Sequence, residues 1–380
     1  MKPNPEIRKI PAPALIGSYR QEDVIFLLKD LSLIELEKRT EEREAAMQTG
    51  GHYSESLPIE YQPTPEYIQL FHETLRDSAE KIALAVGTVS EMLLKKHGPH
   101  IVLASLARGG TPIGVLMKRY LKQVYGIEAP HYSLSIIRGK GIDENALLFI
   151  HQNHPDKHVQ FVDGWTGKGA IRKVLIAACS DMKVKYDLSF DDELAVLADP
   201  GRCAGIFGTR EDFLIPSACL NSTVSGLISR TVLRDDLIGP DDFHGAKYYR
   251  EWKESDLSNR FVDTISSYFE QTKADAKAKA DHIEANPEDN QVTWQGLQDI
   301  AAIQQAFGIT DINFIKPGVG ETTRVLLRRV PWKILVDRLS NPNLKHILLL
   351  AKERGVTVEE YPNMKYSCCG IIKALKGDRE

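Results

Sequence analysis

Residues 100–114 read HIVLASLARGGTPIG, and their reading decides the fold. The segment IVLASLA is a short apolar run with no polar alternation, closed by a glycine pair. Such a run is the pattern of a strand buried on both faces. Pro112 then stands in the first turn of a helical stretch, TPIGVLMKRYLKQVYG, where a missing N–H costs nothing. The same rhythm recurs outward from this point. APHYSLSIIRG (129–139) reads as a second strand, HVQFVDGWTG (158–167) as a third, GAIRKVLIAAC (169–179) as the next helix and LAVLADP (194–200) as a fourth strand. Upstream, residues 64–96 carry apolar residues at helical spacing and end in KKHG, a helix stop signal. Strands alternating with helices predict an α/β domain, a parallel sheet with helices on both faces, over residues 61–253.

The flanks read differently. Residues 1–60 combine a Pro-rich lead with QEDVIFLLKDLSLIELEKRTEEREAAMQTG (21–50), which predicts an N-terminal helical extension. Residues 254–292 predict a charged helical linker. A second α/β rhythm fills 293–380. WQGLQDIAAIQQAFG is a helix, INFIKPGVGETTRVLLRR a strand, glycine loop and helix, KILVD a strand, NLKHILLLAKERG a helix, VTVEEYP a strand and YSCCGIIKAL a closing helix.

The chain has 380 residues, 42% hydrophobic and 26% charged, a globular composition with room for two or three cores. A net charge of −4 excludes a chain that coats nucleic acid or membrane along its whole length, but the charge is uneven. Residues 311–380 carry +5 and the remainder −9, so the tail is the anion-seeking part. No apolar leader segment and no run of apolar residues long enough for a membrane span is present. The five cysteines lack zinc-ligand spacing, and reduced thiols of a cytoplasmic protein are expected.

Two glycine loops carry the chemistry of the first domain. In SLARGGTPIG, Ser105, Gly109, Gly110 and Thr111 offer a turn that backbone N–H groups and a helix N-terminus turn toward an anion, and Arg108 adds a forked cation. In FVDGWTGKGAI, a strand delivers Asp163, and Thr166, Gly167, Lys168 and Gly169 form a phosphate-cradling nest. It is not a Walker loop, because the spacing before Gly-Lys is wrong and Gly169 replaces the following Ser or Thr. The acidic strand end instead suits ribose hydroxyls or a magnesium ion. Arg138 and Lys140 lie on a turn between the loops, and Asp199 and Arg210 follow the fourth strand as acceptor-side candidates.

Together the two loops resemble the type I phosphoribosyltransferase class, in which the first loop holds pyrophosphate and the acidic strand end with its Thr-Gly loop holds the ribose phosphate. ARGG matches closely. VDGWTGKGA matches in outline, with Gly164 where a second acid is usual. The resemblance implies Arg108, Arg138, Lys140 and Asp163 as catalytic, Mg2+ held indirectly by Asp163, and phosphoribosyl pyrophosphate or a related phosphosugar as substrate. The missing acid leaves a non-catalytic, nucleotide-sensing RNA-binding protein as an alternative.

A rival reading starts from IPSACLNSTVSGLISRT and FHGAKYY. Cys219 and His244 would make a nucleophile pair if they met in the fold. The cluster HQNHPDKH (151–158) reads as a solvated loop, since Pro155 breaks helical spacing and no carboxylate or thiol pair completes a metal set. Across the whole chain GSYR, SLARGGTP, FVDGWTGKGAI, PSACLNSTVSGLISRT and FHGAKYY resemble a bacterial family labelled "cysteine protease StiP", associated with tellurium-resistance-type stress gene clusters. The label implies a Cys219/His244 peptidase. A homodimer and partners encoded in the same gene cluster are compatible with that resemblance.

In the tail, NFIKPGVGETTRVLLRRV resembles a Pelota-type RNA-binding domain, a small α/β/α sandwich. The resemblance implies RNA contacts at Lys316, Gly318, Gly320, Glu321, Thr322 and Arg324. The physics is compatible: glycines permit close approach, and a helix N-terminus with two cations favours phosphate.

Overall fold

A computed structural model of the chain describes residues 8–39, 42–43, 46, 50–60 and 63–373. The N-terminal segment departs from the expected helix. Strand β1 (Ile25–Leu27) joins the central sheet, followed by the short strands β2 (Lys29–Asp30), β3 (Glu37–Lys38) and β4 (Leu57–Pro58). The reason is the run VIFLL. Its consecutive apolar residues suit a strand covered on both faces, and Phe26, Leu27 and Leu28 are buried. Residues 40, 41, 44, 45 and 47–49 of the expected helix lie outside the described residues.

The α/β rhythm follows in order. Helix α1 (Pro65–His97), β5 (Ile101–Ala107), α2 (Thr111–Tyr125), β6 (His131–Ile137) and β7 (Gly141–Ile142) come first. Then come α3 (Glu144–Asn153), β8 (His158–Trp165), α4 (Ala170–Tyr186), β9 (Leu194–Ala198) and β10 (Ile206–Thr209). The sheet order is β1-β6-β5-β8-β9-β10, all parallel, with β7 antiparallel on β6. Alternate residues of β5 feed opposite cores. Ile101 and Leu103 pack with α1 and α2, while Val102, Ala104 and Leu106 pack with α3 and α4.

The charged segment after this sheet is seated on it. Helices α5 (Ser258–Ser266) and α6 (Phe269–Ala285) bury Phe261, Val262, Ile265 and Phe269 in the same cluster as α1, and the short α7 (Pro287–Asn290) follows. Strand β11 (Gly245–Ala246) pairs with β2.

The tail contains α8 (Gln295–Ala306), β12 (Ile315–Pro317), α9 (Val319–Arg328), β13 (Pro331–Val336), α10 (Lys345–Glu353), β14 (Thr357–Glu360) and β15 (Cys368–Ile372). Its sheet order is β12-β15-β13-β14, with helices on both faces. The expected closing helix YSCCGIIKAL is strand β15 over Cys368–Ile372, and its last two residues lie outside the described ones. Pairing with β12 and β13 wins because Cys368 and Cys369 point into opposite apolar layers. Among the described residues no helix is long and apolar enough to cross a membrane.

Candidate functional site: a crevice between the two glycine loops and the tail

From β5 the chain crosses to β6 on one side, and later places β8 on the other side of β5. This reversal is a topological switch point, and ligands of open α/β sheets bind outside the carboxyl ends of the strands there. Those ends are the two glycine loops. Gly110 packs so closely that a Cβ would collide with the Val162 carbonyl oxygen and crowd Asp163 Cα, and a Cβ on Gly109 would come 3.4 Å from Asp163 Oδ1. Only residues without side chains let the loops touch in this way.

Asp163 sits half-buried at this junction. Its one partner among the described residues is the Gly164 N–H, which it accepts at 2.7 Å. With no cation beside it, burial pushes its carboxyl up to about 7. Arg138, Lys168 and Lys316 form a cationic group of their own. Arg138 and Lys140 are exposed on the β6–β7 turn, and Lys168 reaches from the β8–α4 loop. Burial, then Lys316 and Arg138, push Lys168 down to about 8. Lys316 is lowered by burial and by Arg138 and Arg329 against the pull of Glu321. Gly169 begins α4 in the left-handed region at φ 79°.

Several expected contacts are redirected. Ser105 Oγ and His131 Nε2 are 2.7 Å apart, and Thr111 Oγ1 lies 2.7 Å from Ser133 Oγ. Both hydroxyls are therefore spent on β6 beneath the loop and do not face a phosphate. Thr111 also does not cap α2. Arg108, whose preceding peptide is cis, turns to Glu60 at 3.2 Å and the Ile228 carbonyl at 3.1 Å. Asp199 is fully buried, accepts from Thr166 Oγ1, from the N–H groups of Cys203 and Ala204, and pairs with Arg210. Asp199 and Arg210 thus brace the loop between β9 and β10.

The tail's glycine loop closes the crevice. Gly318 precedes α9, whose first N–H, from Val319, donates to Asp212 Oδ1 at 2.9 Å. Arg324 donates to the Ala218 carbonyl at 3.0 Å and pairs with Glu321 at 2.8 Å. Burial pushes Glu321 up, but Arg324, Lys316 and Arg230 hold it below the usual range. Thr322 is buried, and Gly320 would place a Cβ 3.1 Å from Ala218. Tyr366 donates to the Gly167 carbonyl at 3.1 Å, and Lys168 Nζ to the Ile312 carbonyl at 2.7 Å. The positions expected to meet RNA therefore line the crevice with the glycine loops, and Lys316 is the one whose amino group has no hydrogen-bonding partner among the described residues.

Arg230 escaped sequence reasoning. Its guanidinium has no hydrogen-bond or ion-pair partner among the described residues, and burial with Arg108 and Arg43 nearby pushes it down to about 10. The available signal was its being the one basic residue between Arg210 and Arg234. Glu60, Asp212 and Tyr366, which tie the segments together, left no motif.

Cys219 is 1% exposed in the apolar core. The ring of His244 is 2.8 Å from Ser135 Oγ, and its backbone N–H donates to Asp143 at 2.5 Å. The structure thus assigns the His244 ring to Ser135. Burial raises the thiols of Cys179, Cys203, Cys368 and Cys369, opposite to what a nucleophile needs.

Fold and site define an α/β protein with a crevice shared between a parallel sheet and a small α/β tail. A family profile described as "Tellurite-like stress resistance cysteine protease StiP" matches residues 17–266, and one described as "PELOTA RNA binding domain" matches residues 294–374. The chain is 33% identical over 351 residues to a protein of Acinetobacter baylyi named "Cysteine protease StiP", covering 88% of each. It belongs to the StiP family of stress-resistance proteins and carries a C-terminal Pelota RNA-binding domain.

Proposed function

We propose that the chain is a type I phosphoribosyltransferase-like enzyme, acting in a tellurium-resistance-type stress response. It takes phosphoribosyl pyrophosphate or a related phosphosugar with Mg2+, and its acceptor is nucleobase-like or a base within RNA held by the tail. The observation that carries the reading is Asp163, a desolvated carboxyl without a counter-charge among the described residues, set between two glycine loops at the switch point, while Arg138, Lys168 and Lys316 form a group of cations close enough to perturb one another.

The donor set fits magnesium, which binds through one or two carboxylates together with substrate phosphates. Asp163 would contribute the carboxylate, and the ion would supply charge neutralisation at the diphosphate. Asp163 would also orient the ribose hydroxyls. The N–H groups from Thr166 to Gly169 and the start of α4 would grip the 5′-phosphate. The bond between the anomeric carbon and the diphosphate oxygen breaks with its electron pair leaving on the diphosphate, while the acceptor nitrogen attacks. Arg138, Lys140 and Arg230 stabilise that departing charge.

Calorimetry with Mg2+ and phosphoribosyl pyrophosphate, on wild type and Asp163→Ala, tests this. Micromolar binding lost in the variant supports the reading, and no binding to wild type ends it. A second reading, a cysteine peptidase, is favoured by the family description. Proteolysis abolished by Cys219→Ala and untouched by Asp163→Ala would establish it instead.

A further inference from the structure

At the opposite end of the sheet, three residues distant in sequence converge. His97 lies in the last turn of α1, His158 is the first residue of β8, and Asp191 lies in the loop before β9. Their ligand atoms all lie within 4.8 Å of one another. We propose that His97, His158 and Asp191 form a binding site for one divalent transition-metal ion of the zinc class.

Three observations carry this. The donor set is two imidazole nitrogens and one carboxylate, the borderline set that selects zinc-like ions over magnesium and calcium. His97 Nε2 is buried and has no hydrogen-bond partner among the described residues, a polar atom that a bound ion would satisfy. His158 and Asp191 also border a cavity of about 200 Å³, lined further by His154, Lys157 and Ser189, which leaves room for a water in a fourth position.

The electrostatics are compatible. Burial, and then Lys96, keep His97 below its ordinary range, and burial and His97 do the same for His158, against the pull of Asp191 and Glu193 on both. The two rings are stacked, with centroids 3.6 Å apart and planes 11° from parallel. Parallel rings cannot aim both lone pairs at one ion, so binding turns one ring out of the stack. The site is distinct from the crevice. It lies at the amino end of β8, whereas Asp163 lies five residues on, roughly 17 Å along an extended strand.

The test titrates Zn2+ alone into the dialysed full chain by calorimetry. One ion per chain at micromolar affinity or tighter is expected. His97→Ala and His158→Ala should each lose at least about a hundredfold, beyond the ten- to hundredfold cost of losing an outer partner. Co2+ should give d–d absorption without the thiolate charge-transfer band that a cysteine site would add. A second measurement does not depend on the variants folding. Diethylpyrocarbonate labelling of the wild type, mapped by mass spectrometry, should show Zn2+ protecting His97 and His158 ahead of the other histidines. Absent stoichiometric binding, binding retained in both variants, or equal labelling with and without Zn2+ would overturn the proposal.

Discussion

Asp212, in the loop after β10, accepts the N–H of Val319, the first residue of the tail's helix α9, at 2.9 Å. The same carboxyl accepts the Ser367 N–H at 2.9 Å, so one side chain of the α/β domain satisfies two backbone donors of the tail. Asn at this position turns an NH2 toward one of them and leaves a buried donor unpaired, at about 1–3 kcal/mol. Asp212→Asn is expected to lower the urea midpoint and to speed proteolytic cleavage in the tail. Unchanged stability would show that this tie is slack.

Burial pushes the Asp212 and Asp163 carboxyls up to about 7, from 3.8 in the unfolded chain. The native state therefore holds protons that the unfolded state releases. Their contribution to stability is complete below about pH 4 and is lost as pH rises through about 7. The ligand-free protein should accordingly unfold at lower denaturant at pH 8 than at pH 5, and the Asp163→Asn, Asp212→Asn double variant should flatten that profile.

Binding of the magnesium–phosphosugar complex should follow a bell-shaped pH profile. Asp163 must lose its proton near pH 7, and Lys168 must keep its own below about pH 8. Calorimetry from pH 5.5 to 9.5 checks this, with Asp163→Asn removing the acidic limb and Lys168→Met the alkaline one.

Arg230→Ala should weaken the same binding by about 1.5–3 kcal/mol, roughly ten- to a hundredfold, the worth of a hydrogen bond to a charged group. Its guanidinium is unpaired among the described residues, so the melting temperature should barely move. A large stability loss with unchanged affinity would assign Arg230 a structural role.

Gly110→Ala places a Cβ against the Val162 carbonyl and Asp163 Cα. The overpacking should cost about 1–3 kcal/mol and separate the loops, abolishing phosphosugar binding. Cys219→Ala, in the core, should cost about 1 kcal/mol and leave that binding intact.

The glycine loops and the doubly covered sheet were legible because each is written locally, in runs such as IVLASLA and turns such as ARGG. The reading failed where a short apolar run is ambiguous. VIFLL and CCGII are strands, and only pairing across the chain, with β6 in one case and β12 and β13 in the other, decides it. At the site, the backbone features were readable but the side-chain partners were not. Ser105, Thr111 and Asp199 are the residue types a phosphate site uses, yet His131, Ser133 and Arg210 take them. The sequence reading of residues 151–158 could not see that His97 and Asp191, distant in the chain, converge on His158.

The apolar cluster of the central sheet runs without a break into the tail, from Phe213, Leu214 and Ile215 to Val319, Leu326 and Ile347. The two parts are therefore not interchangeable cassettes. A graft that replaced this tail with an unrelated RNA-binding module would strand an oily scar on the donor sheet, so the two halves can only have been refined as a pair.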